Sequence, residues 1–236
     1  MEALIITLGF VVLLFLVLIN SFDGTSPVNA RSAIIITAHP DDECMFFGPT
    51  IVSLLHSNTK VFLLCLTSGD YYSEGKVRVK EFEDSCRALG LADRHYHILD
   101  DARLPDSPTD DWDELYTQSV ISKYVTKFDV DAVVTFDEHG VSGHKNHIAL
   151  HTAVQNLNIS VDKYKLVSCN ILRKYSSVFD LLFSRFLTEC RLISFFSNPL
   201  APYRAMLKHE SQLLWFRYLY ILFSRYMFFN TLEPIT

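Results

Sequence analysis

The sequence predicts a doubly wound, mostly parallel, Rossmann-like α/β sheet with an N-terminal transmembrane helix and an aromatic-rich C-terminal helical segment. Short apolar runs alternate with amphipathic helical patterns through the middle of the chain, which is typical of parallel strands joined by helices. An apolar stretch opens the chain, and its last part is crowded with Phe, Tyr, Trp and Leu. The expected divisions are a membrane anchor over 1–22, an α/β core over 32–175 and a C-terminal region over 176–236.

Composition supports a folded core and excludes two other classes of protein. Of the 236 residues, 49% are hydrophobic and 13% are aromatic, too many for a disordered chain. The formal charge is -6 and no block of basic residues is present, so a nucleic-acid surface is not expected. The five cysteines are scattered without a CxxC pair, which favours reduced thiols in a domain facing the cytosol.

Residues 3–19 predict the membrane anchor. They are almost entirely apolar, and as a helix they rise roughly 25 Å, which suits the thin hydrocarbon core of the endoplasmic reticulum. A signal peptide cleaved after Ala30 is the alternative, but the segment lacks the basic residues that normally begin one. Arg31 is the first basic side chain after the span and favours a cytosolic domain. The sequence therefore predicts a single-pass protein of the endoplasmic reticulum membrane, whose glycosylation sequon at Asn158 stays unused.

Five strands and four helices are predicted in alternation. The strands are short apolar runs, strong at 33–38, 60–68 and 130–136 and weaker at 96–99 and 165–171. The helices follow the helical spacing of apolar residues, and Gly90 provides a C-terminal cap for the second: 44–56, 76–89, 111–127 and 144–157. Residues 102–113, rich in Pro and Asp, are expected to form one long surface loop.

Two polar clusters directly follow the first and third strong strands. The first, at 38–43, is AHPDDE, and the second, at 140–147, is GVSGHKNH. Ligands of such sheets bind beyond the carboxyl ends of the strands, so both clusters are expected at one site. Either cluster alone could be an ordinary helix N-terminus, with acids or histidines in its first turn. The two together, at matching strand ends, favour a functional site.

The histidines and aspartates of these clusters predict a catalytic metal site. Three such ligands with a fourth position open to water form a standard catalytic zinc site, although they also suit other divalent metals. His39 and Asp42 are three residues apart in a turn that enters a helix, so they can face one ion. His144 and His147 have the same spacing, and His151 lies one helical turn beyond His147. Spacing alone leaves the third ligand open.

These clusters resemble those of the LmbE-like zinc deacetylases, and within them the N-acetylglucosaminyl-phosphatidylinositol de-N-acetylases of GPI-anchor biosynthesis. The resemblance continues at 75–90, at 170–175 (NILRKY) and in the tail at 209–227. It implies the following roles: zinc binding by His39, Asp42 and His147, general-base catalysis by Asp41, and oxyanion stabilisation or amine protonation by His144.

The resemblance further implies a hydrolase that releases acetate from the membrane glycolipid N-acetylglucosaminyl-phosphatidylinositol. In that mechanism His144 acts as an imidazolium. Many bacterial relatives have HPDH at the second cluster with a tyrosine before it, whereas this chain has Asn146 and Ser142. The carboxylate that would keep His144 protonated is therefore absent. Two alternatives are deacetylation of a soluble N-acetyl sugar conjugate and a non-catalytic membrane-anchored subunit with the same fold.

Two further residues are predicted to bind the substrate headgroup. A guanidinium suits phosphate and sugar oxygens, which makes Arg78 a candidate. The alternative for Arg78 is a surface salt bridge to Glu74, Glu81 or Glu83. Asp101, beside the Pro/Asp-rich loop, is a candidate for hydrogen bonds to sugar hydroxyls.

The run 213–229 predicts a helix that lies on a membrane surface or docks against the core. Arg217, Ser224 and Arg225 interrupt its apolar residues, and on a helix the three share one narrow stripe. A second transmembrane span is the alternative, but each mid-segment arginine makes spanning costly by about 2.5–3.5 kcal/mol. The aromatic residues around Trp215 suit a membrane interface, which would hold the site near lipid headgroups.

Overall fold

The computed structural model describes residues 28–187, 191–194, 198 and 200–236. Its centre is a seven-stranded sheet with strand order β3-β2-β1-β4-β5-β7-β6. The strands are β1 (Ser32–Thr37), β2 (Lys60–Cys65), β3 (Tyr96–Ile98), β4 (Ala132–Phe136), β5 (Asp162–Leu166), β6 (Arg191–Ser194) and β7 (Phe229–Pro234). Strands β1 to β5 are parallel, whereas β7 is antiparallel to both β5 and β6. The predicted α/β sheet is confirmed, and the antiparallel edge is an addition to it.

Helices connect the strands and cover the sheet. They are α1 (Asp42–Met45), α2 (Gly48–His56), α3 (Gly75–Leu89), α4 (Glu114–Phe128), α5 (Gly140–Gly143), α6 (Lys145–Gln155), α7 (Ile171–Lys174), α8 (Asp180–Leu187), α9 (Ala201–Met206) and α10 (Trp215–Phe223). The predicted first helix is divided into α1 and α2, and the other three predicted helices correspond to α3, α4 and α6. Gly90 ends α3 in the left-handed conformation, as predicted.

The two central strands place the functional clusters side by side. All residues of β1 and β4 are buried, because helices cover both faces of the sheet, and this explains their uninterrupted apolar sequences. The order of the strands reverses between β1 and β4, which are hydrogen-bonded neighbours. At such a reversal a crevice opens at the carboxyl ends of the strands. The clusters at 38–43 and 140–147 therefore meet at this crevice.

The predicted anchor over 1–22 lies outside the described residues. Within the part of the chain that is described, no helix has both the length and the apolar character that crossing a membrane requires.

The predicted helix over 213–229 is wrong in its extent. The helix α10 ends at Phe223 because Ser224 is extended and its hydroxyl accepts a hydrogen bond from the Tyr226 N–H, starting a short 3-10 turn. The chain then enters β7. Because the helix stops there, the predicted stripe of polar residues is broken, and Arg217 and Arg225 point to different places.

Arg225 points into the protein interior and pairs with Asp180. Its Nη1 lies 2.6 Å from Asp180 Oδ2, and both side chains are fully buried. Arg173 donates to the same carboxylate from Nε and Nη2 at 2.7 and 3.0 Å. Removing one partner of a buried pair typically costs about 3–5 kcal/mol. The three residues therefore tie the end of α10 to α7 and α8.

Candidate metal centre and cleft

A cleft of about 690 Å³ opens at the carboxyl ends of β1 and β4. Its walls come from the loops after these strands, from the loop at 102–113 and from α7 and α10. Six of the seven residues predicted for the site line it: His39, Asp41, Asp42, Arg78, His144 and His147. Asp101 belongs to a smaller neighbouring cavity instead.

Three potential metal ligands converge in the buried part of the cleft. His39 Nδ1 lies 3.3 Å from His147 Nε2. The Asp42 carboxylate lies 3.7 Å from His39 Nδ1 and 3.2 Å from His147 Nε2. Ligand atoms about 2.0–2.1 Å from a tetrahedral zinc ion are separated from one another by about 3.3 Å. The donor atoms and their spacing therefore fit a divalent metal of this kind.

The second nitrogen of each imidazole faces an oxygen acceptor. His147 Nδ1 lies 3.0 Å from the Gly140 carbonyl, and His39 Nε2 lies 3.2 Å from the Asp106 carboxylate. Acceptors of this kind fix the tautomer of metal-binding histidines and leave the other nitrogen free for the ion. Burial lowers the pKa of His39, but hydrogen bonds to Asp106 and Asp42 outweigh it and raise the pKa to about 9. Without metal, the His39 imidazole therefore holds a proton, and metal binding would displace that proton.

Gly140 allows the close approach of His147. Its φ is 58°, and a Cβ at this position would lie 2.8 Å from the Cβ of His147. The next residue, Val141, also has a positive φ of 60°, which is costly for a β-branched side chain. The Ser168 hydroxyl accepts a hydrogen bond from the Val141 N–H at 2.8 Å. This strained turn brings the Gly140 carbonyl to the His147 ring.

Geometry separates the histidines of the second cluster. His147 contacts Asp42, whereas His151 faces the Phe136 carbonyl and does not line the cleft. The ring nitrogens of His39, His144 and His147 can all lie within 4.8 Å of one another, so His144 is also within reach of an ion. His144 Nδ1, however, accepts a hydrogen bond from the backbone N–H of Asn146 at 3.4 Å. The contact with Asp42 favours His147 as the third ligand.

The surroundings of His144 disfavour the imidazolium that the resemblance implies. Burial, followed by the charges of His39 and His147, lowers the pKa of His144 to about 4, so it is neutral at pH 7. A bound dication would act in the same direction. Because Nδ1 caps α6, the proton of the neutral ring is on Nε2. A neutral imidazole can still donate a hydrogen bond to an oxyanion.

Asp41 lies between two arginines, beside the potential ligands. Its carboxylate is 3.2 Å from Arg217 Nη2 and 3.8 Å from Arg78 Nη2. Burial raises the pKa of Asp41, and the charges of Arg217 and Arg78 only partly reverse this effect. A carboxylate with a raised pKa is suited to accept a proton near neutral pH. No sequence pattern predicted that Arg217 reaches this site.

A buried ion pair holds the backbone of Asp41. The residue has a φ of 103°, a conformation that non-glycine residues rarely adopt. Its N–H donates to Glu43 Oε2 at 3.0 Å, and Glu43 Oε1 receives hydrogen bonds from His209 and Ser85. Burial raises the pKa of Glu43, but the charge and hydrogen bond of His209 outweigh it and lower the pKa. Glu43, Cys44 and His209 could also surround an ion, but a 2.6 Å hydrogen bond already joins Glu43 to His209.

We predict that His209→Ala lowers both stability and turnover. The variant leaves the Glu43 carboxylate buried without its charged partner, at an expected cost of about 3–5 kcal/mol. When Glu43 is held less firmly, it no longer fixes the backbone of Asp41 through the Asp41 N–H. Because Asp41 is the predicted general base, kcat should fall more than KM rises. Urea unfolding and steady-state kinetics measure the two effects. His56→Ala, which removes an exposed histidine, should change stability by less than about 0.5 kcal/mol. Equal effects of the two variants would contradict the assignment.

Arg78 is buried and braces two loops of the cleft. It donates hydrogen bonds to the carbonyls of Gly69 and Pro40, at 3.1 and 2.6 Å. A Cβ at Gly69, whose φ is 73°, would lie 2.7 Å from the guanidinium. Arg78 also approaches Asp106 at 3.9 Å. The alternative of a surface salt bridge to Glu74, Glu81 or Glu83 is therefore wrong, and Arg78 lines the cleft. Its binding of the substrate headgroup stays a prediction.

The loop at 102–113 contributes Asp106 to the site, a residue that sequence reasoning missed. Asp101 instead binds Arg103 through both carboxylate oxygens and accepts a hydrogen bond from Tyr116. The composition of the loop signals several carboxylates, and the structure shows that Asp106 is the one beside His39.

Comparisons with known proteins identify relatives of this chain and of its fold. A family model described as PIG-L, GlcNAc-PI de-N-acetylase, matches residues 34–158. The chain is 43% identical to the N-acetylglucosaminyl-phosphatidylinositol de-N-acetylase of Bos taurus, over 88% of this chain and 85% of that protein. It is 32% identical to a probable enzyme of the same name from Dictyostelium discoideum, over 92% and 98%. Its fold is similar to that of N,N'-diacetylchitobiose deacetylase from Pyrococcus horikoshii, with a TM-score of 0.61, 19% identity and coverage of 96% and 91%. At that identity the similarity concerns the fold alone.

Proposed function

Because this chain belongs to the PIG-L family of GlcNAc-PI de-N-acetylases, we propose that it hydrolyses the acetamide of N-acetylglucosaminyl-phosphatidylinositol (GlcNAc-PI). The products are acetate and glucosaminyl-phosphatidylinositol, and the reaction is the deacetylation step of GPI-anchor biosynthesis. The observation that carries the proposal is the convergence of His39, Asp42 and His147 beside Asp41, in a cleft of a family with this activity.

We propose zinc as the metal. His39, Asp42 and His147 would hold it, since two imidazoles and one carboxylate are a common ligand set for catalytic zinc. The chemistry that such an ion supplies when bound is polarisation of the amide carbonyl and a lowered pKa of nearby water.

The side chains around these ligands account for the proton transfers. Asp41 accepts a proton from the attacking water as the water oxygen bonds to the carbonyl carbon. His144 donates the Nε2 hydrogen bond to the oxyanion that develops on the carbonyl oxygen. When the C–N bond breaks, the proton held by Asp41 passes to the departing amine nitrogen, which gives a neutral amine and acetic acid. The remaining proton of the water then leaves the acid through Asp41 and passes to the amine. Atoms and charges then balance as acetate and the protonated amine.

We further propose that the protein works at the endoplasmic reticulum membrane, with a single span at 1–22 and the α/β domain in the cytosol. On α10, beside the cleft, large apolar side chains face solvent, with Trp215 75% and Leu222 58% exposed. Such a helix suits the headgroup region of a bilayer. Protease treatment of sealed microsomes tests the orientation, because digestion of the domain without detergent is the expected result and protection would contradict it.

The proposed function is tested by acetate release from GlcNAc-PI in detergent. We expect the purified full-length protein to release acetate, a zinc chelator to abolish the activity, and added zinc to restore it. Parallel reactions with a soluble N-acetylglucosaminyl-inositol test the first alternative, which requires equal kcat/KM on the lipid-free compound. A folded, zinc-loaded protein that releases no acetate from either compound would contradict the proposal and favour a non-catalytic subunit.

A further inference from the structure

The part of the cleft wall formed by α7 and α10 carries two neighbouring cations. Lys174 is the last residue of α7, and Arg217 lies in the first turn of α10. Both line the cleft that contains the potential metal ligands. Burial, followed by the charge of Arg217, lowers the pKa of Lys174, so the two side chains feel each other's charge.

Lys174 has no salt-bridge partner among the residues that the structure describes. Its Nζ instead lies 5.9 Å from the ring centroids of both Tyr175 and Tyr220. The preceding residue differs in this respect, because Arg173 is held by the buried carboxylate of Asp180. A half-buried ammonium without an anion is unfavourable, and a bound anion would remove the cost.

Arg217 is satisfied in part. Its Nη2 pairs with Asp41, which it shares with Arg78. Its Nε is buried and has no hydrogen-bond partner. The positive charge of Lys174 therefore has no described counter-ion, unlike that of Arg217, and both residues line the same cleft.

An apolar surface continues from these cations along α10. Phe216, Leu219 and Phe223 also line the cleft, and each is 45–50% exposed. The cleft is thus lined by the potential metal ligands and Asp41, by Arg217, which pairs with Asp41, and Lys174, and by apolar side chains of α10. This order matches a molecule with an amide at one end, an anion in the middle and hydrocarbon at the other end.

We propose that Lys174 and Arg217 form the subsite for the phosphodiester of the glycolipid substrate. This assignment rests on the proposed function, because in GlcNAc-PI one sugar and one inositol ring separate the acetamide from the phosphate. Lys174 supplies ammonium donors, and Arg217 adds a second positive charge beside them. The shared ligand chemistry is a phosphate ester oxygen, and a lipid headgroup is the source that we assign.

The subsite is tested with two soluble compounds that differ only in the phosphate: N-acetylglucosaminyl-inositol and its inositol 1-phosphate ester. We expect Lys174→Met to lower the ratio of kcat/KM for the phosphorylated compound to that for the plain compound by about tenfold, the size of one charged hydrogen bond. Lys174→Arg should restore most of the ratio. Lys123→Met is the matched control, since Lys123 also lies near a tyrosine ring, at 6.0 Å from Tyr124, but does not line the cleft.

Each result supports or overturns the subsite separately from the proposed function. A wild type that deacetylates both compounds, with a ratio unchanged in Lys174→Met, would overturn the subsite and leave the deacetylase intact. Titration calorimetry of the zinc-loaded protein provides a readout without turnover. We expect inositol 1-phosphate to bind more weakly to Lys174→Met and Lys174→Gln than to wild type by at least about fivefold. Affinity for inorganic phosphate alone, with none for inositol 1-phosphate, would contradict a headgroup subsite.

Discussion

Replacing Asp41 by asparagine is expected to lower kcat for GlcNAc-PI by about 100- to 10,000-fold while the metal content stays at the wild-type level. Asparagine has nearly the same shape as aspartate and tolerates a positive φ better than most residues do, so the strained turn should persist. What it lacks is the ability to take a proton from water. Asp41 also contacts no potential ligand nitrogen in the structure, since its carboxylate is directed at Arg217 and Arg78.

Metal analysis by atomic absorption and acetate release are the two measurements for this variant. Asp41→Ala provides a comparison, because alanine removes the base but also fits the left-handed turn poorly. We therefore expect both variants to be inactive and Asp41→Ala to be the less stable of the two. Activity of Asp41→Asn within tenfold of wild type would mean that another group accepts the proton.

Replacing His147 by alanine is expected to abolish activity through loss of the metal. His147 Nε2 lies 3.3 Å from His39 Nδ1 and 3.2 Å from the Asp42 carboxylate, so its removal would leave only two of the three proposed ligands. Mutating residues that merely orient a metal ligand costs 10–100-fold in affinity, and the loss of a ligand should exceed about 100-fold. Competition with a chromogenic zinc chelator measures this affinity.

His151→Ala is the matched control for that experiment. His151 lies one turn further along the same helix, is equally buried, and likewise places Nδ1 3.0 Å from a backbone carbonyl. It faces away from the cleft, so its removal should cost stability without reducing the zinc content. Loss of zinc from His151→Ala with retention in His147→Ala would exchange the two roles. Zinc loss from His144→Ala alone would instead make His144 the third ligand.

The fold was predictable where local pattern and tertiary environment agree. The strands β1, β2 and β4 are buried on both faces, so their apolar sequences identify them without knowledge of their partners. The strand β7 has no such signal. Its sequence, FNTLEP, follows a run of aromatic residues that suits a longer helix, and it becomes a strand because β5 and β6 offer hydrogen-bonding edges on both sides.

The candidate site was predictable as far as its residues follow strands in the sequence. His39, Asp42 and His147 belong to clusters directly after β1 and β4, and parallel neighbours bring those ends together. Arg217 and His209 could not be predicted, because they lie far along the chain and reach Asp41 and Glu43 only after α9 and α10 have packed on the core. The loop holding Asp106 has no periodic pattern, so the sequence cannot say which of its carboxylates turns inward.

The position of β7 between β5 and β6 has a consequence for synthesis on the ribosome. Although β6 precedes β7 in the chain, β7 is the neighbour through which it joins the sheet. In a nascent chain that has emerged only as far as β6, the edge of β5 is therefore open, and β6 lacks its partner strand β7. The segment between β6 and β7 also carries His209 and Arg217. The α/β core can form early during translation, as domains commonly do, but the residues around the Asp41 carboxylate are completed only when β7 emerges. Until that moment the nascent protein should hold His39, Asp42 and His147 together while Arg217 and His209 are not yet in place beside Asp41 and Glu43, so completion of the cleft is the final event of folding.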